Sequence, residues 1–179
     1  MRMPGTPSQT VGPFFAPALG PGRTDLAEGV RAGERIVIEG RVLDGDGQPV
    51  PDAMLEIWQA DAQGRYGGDG FFGFGRALTD ARGGYRFTTI QPGPVQGPGG
   101  TLQAPHVCLT IFARGLLRQL STRIYFAGDA ANETDPVLGS IVDPSARRTL
   151  LARAGDGPSR AYRFDVILQG ENETAFFDL

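Results

Sequence analysis

Lysine is absent from this 179-residue chain: all 17 basic residues are arginine, set against 20 acidic ones. The net charge is −3 and no long basic run occurs, which argues against a nucleic-acid partner, because phosphate binding needs clustered positive charge. Cysteine occurs once, so no intrachain disulfide forms, and a reducing compartment fits. Long apolar runs are missing too. No stretch approaches the ~20 residues of a membrane span, and the opening MRMPGTPSQTVGPFF has no apolar core of a secretory leader. The expectation is a soluble, cytoplasmic protein.

What the chain has in quantity is glycine (27) and proline (14), alongside 40% hydrophobic residues. Together they indicate a loop-rich all-β protein. A chain this long buries roughly two thirds of its unfolded surface, so it needs no disulfide or metal to fold. Residues 1–34 show no sustained period and read as an extended N-terminal arm packing on something else. Alternation begins at RIVIEGRVLD and predicts a strand at about 35–43. AMLEIWQA (53–60) is apolar on both faces, as in a central strand. Further strands are expected at about 85–90 and 106–113, in STRIYFAGD, and in AYRFDVILQG (161–170), where Tyr162, Phe164, Val166 and Leu168 share a side. DPSARRTLLARAG breaks the pattern. Asp143 is a plausible N-cap, Pro144 suits the first helical position, and Gly155 lies just beyond, so a short helix is expected near 144–153. Many short strands with turn signals favour a β-sandwich core over residues 35–179.

The only histidine and the only cysteine sit two residues apart in APHVCLTIFARG. On a strand, His106 and Cys108 point to one face. That is the geometry of a metal site, of the remains of one, or of a core strand that carries these residues by chance. Other candidates have ordinary readings. Trp58 is most simply core, and Asp61 with Glu56 would form an acid–base pair only if the fold brought them together.

Three stretches carry a likeness: VLDGDGQPVPDAMLEIWQADAQGRY with TDARGGYRFTTIQPG, then APHVCLTIFARG with TRIYFAGD, then AYRFDVILQGENETAFFDL. Together with the start TPSQTVGPFF, they resemble the intradiol ring-cleaving dioxygenases over nearly the whole chain, and within them the α-type chains of two-subunit members. The resemblance implies an αβ protomer in a larger hetero-oligomer and a ferric ion held by two tyrosinates and two histidines. It implies insertion of both atoms of O₂ between the hydroxyl-bearing carbons of 3,4-dihydroxybenzoate. The product would be 3-carboxy-cis,cis-muconate, in aromatic catabolism by the β-ketoadipate pathway.

By the same resemblance the ligand positions fall on Tyr66, Val95, His106 and Cys108, so two of four ligands remain. The arginine expected three residues before the first histidine is Gln103. Ferric iron is a hard ion that favours anionic oxygen and imidazole, which valine and thiolate do not supply. These positions therefore read as a relic, with Fe(III) bound by a β-type partner and not by this chain. Arg123 falls near the abandoned position and would help fill or neutralise it. The arm's TVGP would wall the partner's pocket through Thr10, Gly12 and Pro13, and Arg114 would meet the substrate's carboxylate. The competing readings are a self-sufficient dioxygenase with an altered iron site, built on Tyr66, His106 and Cys108, and a β-sandwich binding module without enzymatic role.

Overall fold

Alternating burial along RIVIEGRVL, with Ile36, Ile38 and Val42 all but sealed from solvent, makes this segment the fold's central strand. The computed structural model describes residues 7–12, 14–19, 22–68, 70–155 and 160–178. In chain order the elements are α1 (Phe15–Leu19), β1 (Arg35–Leu43), β2 (Met54–Gln59), β3 (Phe74–Leu78), β4 (Gly84–Ile90), β5 (Val95–Gln96), β6 (Leu102–Gln103), β7 (His106–Phe112), β8 (Leu120–Phe126), α2 (Pro136–Ser140), α3 (Pro144–Arg148), β9 (Leu151–Ala154), β10 (Ala161–Arg163) and β11 (Val166–Ile167). No helix among the described residues is long and apolar enough to cross a membrane.

The strands form a nine-stranded sheet with β5 and β6 as a separate pair. β4 lies antiparallel on β1, from Arg35 opposite Ile90 to Arg41 opposite Gly84. The other edge of β1 takes β10 and then β11 in parallel, and the path continues through β9, β8, β7 and β2 to β3. β3 and β4, at the two ends, approach within 8 Å, so the sheet nearly closes. One core fills the space between: Ile36, Ile38, Phe87, Leu55, Ile57, Val107, Leu109, Ile111 and Ile124 belong to a single cluster. Burying each such aliphatic side chain is worth about 1.5–3 kcal/mol. Mostly strands with little helix is what the composition predicted.

Two expectations change. The 144–153 helix is only α3, ending at Arg148. Its start signals act as read, because the Asp143 carboxylate accepts the Ser145 N–H at 2.8 Å and Pro144 follows it. Beyond Arg148 the chain becomes β9, which fills the slot between β8 and β10. Ladder hydrogen bonds on both sides outweigh local helix propensity there. The strand read over 161–170 is also two pieces. The Asp165 carboxylate takes the Arg41 N–H at 2.9 Å, and the chain re-pairs with β1 as β11. Gly40 permits the bend, since a Cβ there would run into the Phe164 carbonyl oxygen.

The N-terminal segment divides. Leu26 is fully buried in the core cluster, and Leu26 and Thr24 bond Thr88 on β4 at 2.8 Å, so this stretch belongs to the domain's own sheet. The preceding stretch behaves otherwise. Phe14 is 80% exposed and Leu19 46%, while Phe15 between them is partly buried.

Candidate functional site

Alternation on β7 sends Val107, Leu109 and Ile111 into the core and leaves Cys108 on the outer face. Antiparallel pairing sets Cys108 directly between Trp58 on β2 and Arg123 on β8. His106, at the strand's start, is buried to 1% exposure. Its Nδ1 lies 2.8 Å from the Ala104 carbonyl oxygen and so carries the ring proton, which leaves Nε2 as an acceptor. Nε2 sits 3.5 Å from the Tyr66 hydroxyl. The structure thus brings Tyr66 and His106 together, with Cys108 beside them. Val95 lies on β5 opposite Gln103 of β6 and is 8% exposed.

Arg123 occupies the middle of this group. Its Nη1 donates to Gln103 Oε1 at 2.8 Å and to the Tyr125 hydroxyl at 3.4 Å. Tyr125 donates onward to Asp135 at 3.1 Å. Asp135, 2% exposed, accepts the N–H groups of Ala104 (2.7 Å), Val137 (2.9 Å) and Leu138 (2.7 Å). One carboxylate thus caps α2 and anchors the strand that leads into His106. Sequence reasoning reached Gln103 and Arg123 but not Tyr125 or Asp135. Asp135-Pro136 is an N-cap followed by a first-position proline, so the signal for a helix start was present.

Burial and the adjoining Cys108 push the Tyr66 phenol up to about 12, against the pull of Arg123. Burial also raises the Cys108 thiol, with Arg123 opposing. Burial pulls His106 below the usual imidazole range, partly offset by its bond to the Ala104 carbonyl. At neutral pH all three are uncharged, and the charge beside them is the Arg123 guanidinium, with the Asp135 carboxylate beyond it through Tyr125. The family's ferric ion needs anionic oxygen to balance its charge. One phenol, one imidazole, a thiol and a fixed cation do not fit it.

The depressed histidine has a measurable consequence. An imidazole whose folded pKa lies below its unfolded value stabilises the fold above about pH 6.5. That contribution is lost as pH falls through the unfolded and then the folded pKa. Being the only histidine, His106 reports without overlap. Its NMR ring signals are expected to stay those of the Nδ1–H tautomer until well below pH 6.5, and His106→Gln is expected to remove part of the acid-side loss of stability. A normal titration near 6.5 would contradict the burial argument.

Trp58 is not the core residue its strand position implied. It is half-buried on the outer face and stacks on Tyr66, with centroids 5.6 Å apart and planes 20° apart. Asp61 and Glu56 form no pair with each other. Asp61 binds Arg65 at 2.9 Å, and Glu56 binds Arg76 at 2.5 Å.

The remaining candidates meet elsewhere. Thr10 Oγ1 accepts the backbone N–H of Gly115 at 2.8 Å, and the Arg114 guanidinium pairs with Asp52 at 2.9 Å. Thr10 and Arg114, far apart in sequence, therefore share one turn between β7 and β8. Gly12 is exposed, with open space where a Cβ would be. Pro13 lies outside the described residues. Asp52 went unnoticed in the sequence, since nothing in its neighbours distinguishes it from a turn residue.

The sequence profile of the family described as Dioxygenase matches residues 11–170. The chain is 42% identical to the protocatechuate 3,4-dioxygenase alpha chain of Pseudomonas putida, over 98% of this chain and 97% of that one. It is 36% identical to the protocatechuate 3,4-dioxygenase beta chain of Burkholderia cepacia, over 90% of this chain and 77% of that one. Among solved structures, the dioxygenase domain of a dioxygenase carbohydrate-binding protein fusion from Streptomyces sp. SirexAA-E superposes with a TM-score of 0.66 at 32% identity, covering 93% of this chain and 99% of that one.

Proposed function

The chain belongs to the intradiol dioxygenases, a family of oxidoreductases generally dependent on Fe(III), and on that premise we propose that it is the α-type subunit of a protocatechuate 3,4-dioxygenase. In this reading it binds no iron and cleaves no ring alone. It walls one side of a pocket whose Fe(III) sits on a β-type partner, in the cytoplasm and within a larger hetero-oligomer. That pocket opens 3,4-dihydroxybenzoate with O₂. Residues 35–179, joined by the stretch with Thr24 and Leu26, form the catalytic-type domain, its nearly closed sheet flattened into two sandwich layers, and the arm ahead of that stretch lies on the partner.

The observation that carries the reading is Arg123. Its guanidinium stands among Tyr66, His106 and Cys108, bonded to Gln103 and Tyr125, so a fixed positive charge replaces a bound cation. Likeness to both alpha and beta chains supports a pair of homologous subunits. Exposed Phe14 and Leu117 (63% exposed) flank the Thr10–Gly115 contact and suit burial against such a partner.

At that edge the chemistry of each side chain is simple. Arg114 presents guanidinium N–H groups to an anionic aromatic acid and orients its carboxylate. The Thr10 oxygen already accepts from Gly115, so its own proton is free to donate to a ligand. Co-expression with a β-type chain carrying two tyrosines and an H-x-H pair tests the proposal. The two chains are expected to co-purify, and only the complex should cleave the ring. Within it, Arg114→Ala is expected to raise KM for 3,4-dihydroxybenzoate about tenfold, the loss of one charged hydrogen bond. Failure of the chains to associate, or full activity of the β-type chain alone with unchanged KM, would refute it.

A further inference from the structure

Asp52 is the only non-glycine residue with positive φ among the described residues, at 59°. L residues other than Asn and Asp rarely adopt that conformation, and it persists where the surroundings over-determine it. Here it sits in the turn ahead of β2 and aims its carboxylate at Arg114. The ion pair is a single Nη2–Oδ2 contact of 2.9 Å between side chains 55% and 41% exposed. So exposed a pair adds little to stability. Its consequence is where the guanidinium sits: the Asp52 charge draws a flexible arginine toward the turn ahead of β2, while its N–H groups make no hydrogen bond among the described residues. The turn itself is held from the other side. Gly115, at φ 93°, takes a shape a side chain would strain, and its N–H binds Thr10 of the arm.

From this arrangement we infer that Asp52 is a positioning residue for substrate, holding the Arg114 guanidinium so that its free N–H groups face the carboxylate of the incoming aromatic acid. The inference rests on the reading of Arg114 given above. Ordering the side chain before binding removes part of the entropy cost of capturing the ligand. A carboxylate that merely competed for the same cation would have the opposite effect on affinity, so the sign of the change separates the two.

The test uses the complex with its β-type partner. Asp52→Asn keeps a residue tolerant of positive φ and removes the charge. It is expected to raise KM for 3,4-dihydroxybenzoate about three- to fivefold, the scale of one exposed ion pair, with kcat unchanged. A catechol lacking the carboxylate should show no change. Glu39→Gln, which breaks the exposed Glu39–Arg86 pair elsewhere, should also show none. On an Arg114→Ala background the Asp52 effect should vanish. If Arg114→Ala raises KM while Asp52→Asn leaves it unchanged or lowers it, Asp52 does not position the arginine and the reading of Arg114 stands. If Arg114→Ala itself leaves KM unchanged, both fall.

Discussion

Purified without a partner, the chain is expected to contain no stoichiometric iron, to lack the visible ferric–tyrosinate absorption, and to cleave no catechol. Tyr66 and His106 remain close, at 3.5 Å, so proximity of ligands is not what is missing. What is missing is negative charge, and what is present is Arg123. Two unit charges 4 Å apart repel by about 4 kcal/mol near a protein surface, and a trivalent ion multiplies that. The phenol, already pushed up to about 12, would have to ionise beside a neutral thiol and histidine. Val95→Tyr with Cys108→His adds a second tyrosine and a second histidine, yet it is expected to stay iron-free while Arg123 keeps its place between Gln103 and Tyr125. Adding Arg123→Ala is expected to permit binding. Metal analysis and the visible spectrum read each step. About one iron per unaltered chain would overturn the argument.

Asp135→Ala is expected to destabilise the fold by about 4 kcal/mol, read as a shift in the denaturant midpoint at constant slope. The residue is 2% exposed, and its carboxylate serves three backbone N–H groups and the Tyr125 hydroxyl. Alanine leaves those donors buried without partners, which costs more than the bonds themselves. The damage should spread along Tyr125 to Arg123 and along Ala104 to His106, disturbing the Tyr66–His106–Cys108 cluster without touching it. Asp129→Ala is the comparison. Asp129 caps the neighbouring 3₁₀ turn through one bond to the Ala131 N–H, and its loss is expected to cost about 1 kcal/mol. Equal effects of the two substitutions would mean that the buried network adds nothing beyond a cap.

Much of the site was legible as a set of positions. The pattern of β7 was plain because His106–Phe112 alternates strictly, and the His106–Cys108 face followed from it. Arg123 was read as lying near these positions, and the β7–β8 ladder sets it directly opposite Cys108. Asp135 showed in the sequence only a cap signal, because its other partners come from β6's exit and β8, which local pattern does not connect. Trp58 was misassigned because β2 is apolar on both faces, and only the sheet's curl decides which face is core. The helix at 144–153 was half right for a related reason: cap chemistry is local, while the neighbours of Leu151–Ala154 are not.

The order of residues alone determined a chain of mostly strands, their alternating faces and the Asp143 cap, since each depends on side-chain identity at short spacing. Tertiary structure decided the rest: that the sheet nearly closes, that Leu26 joins the core, and that Asp52, Arg114, Gly115 and Thr10 meet at one turn. Those outcomes depend on contacts between residues tens of positions apart, where pairing and burial energies outweigh what any local segment prefers.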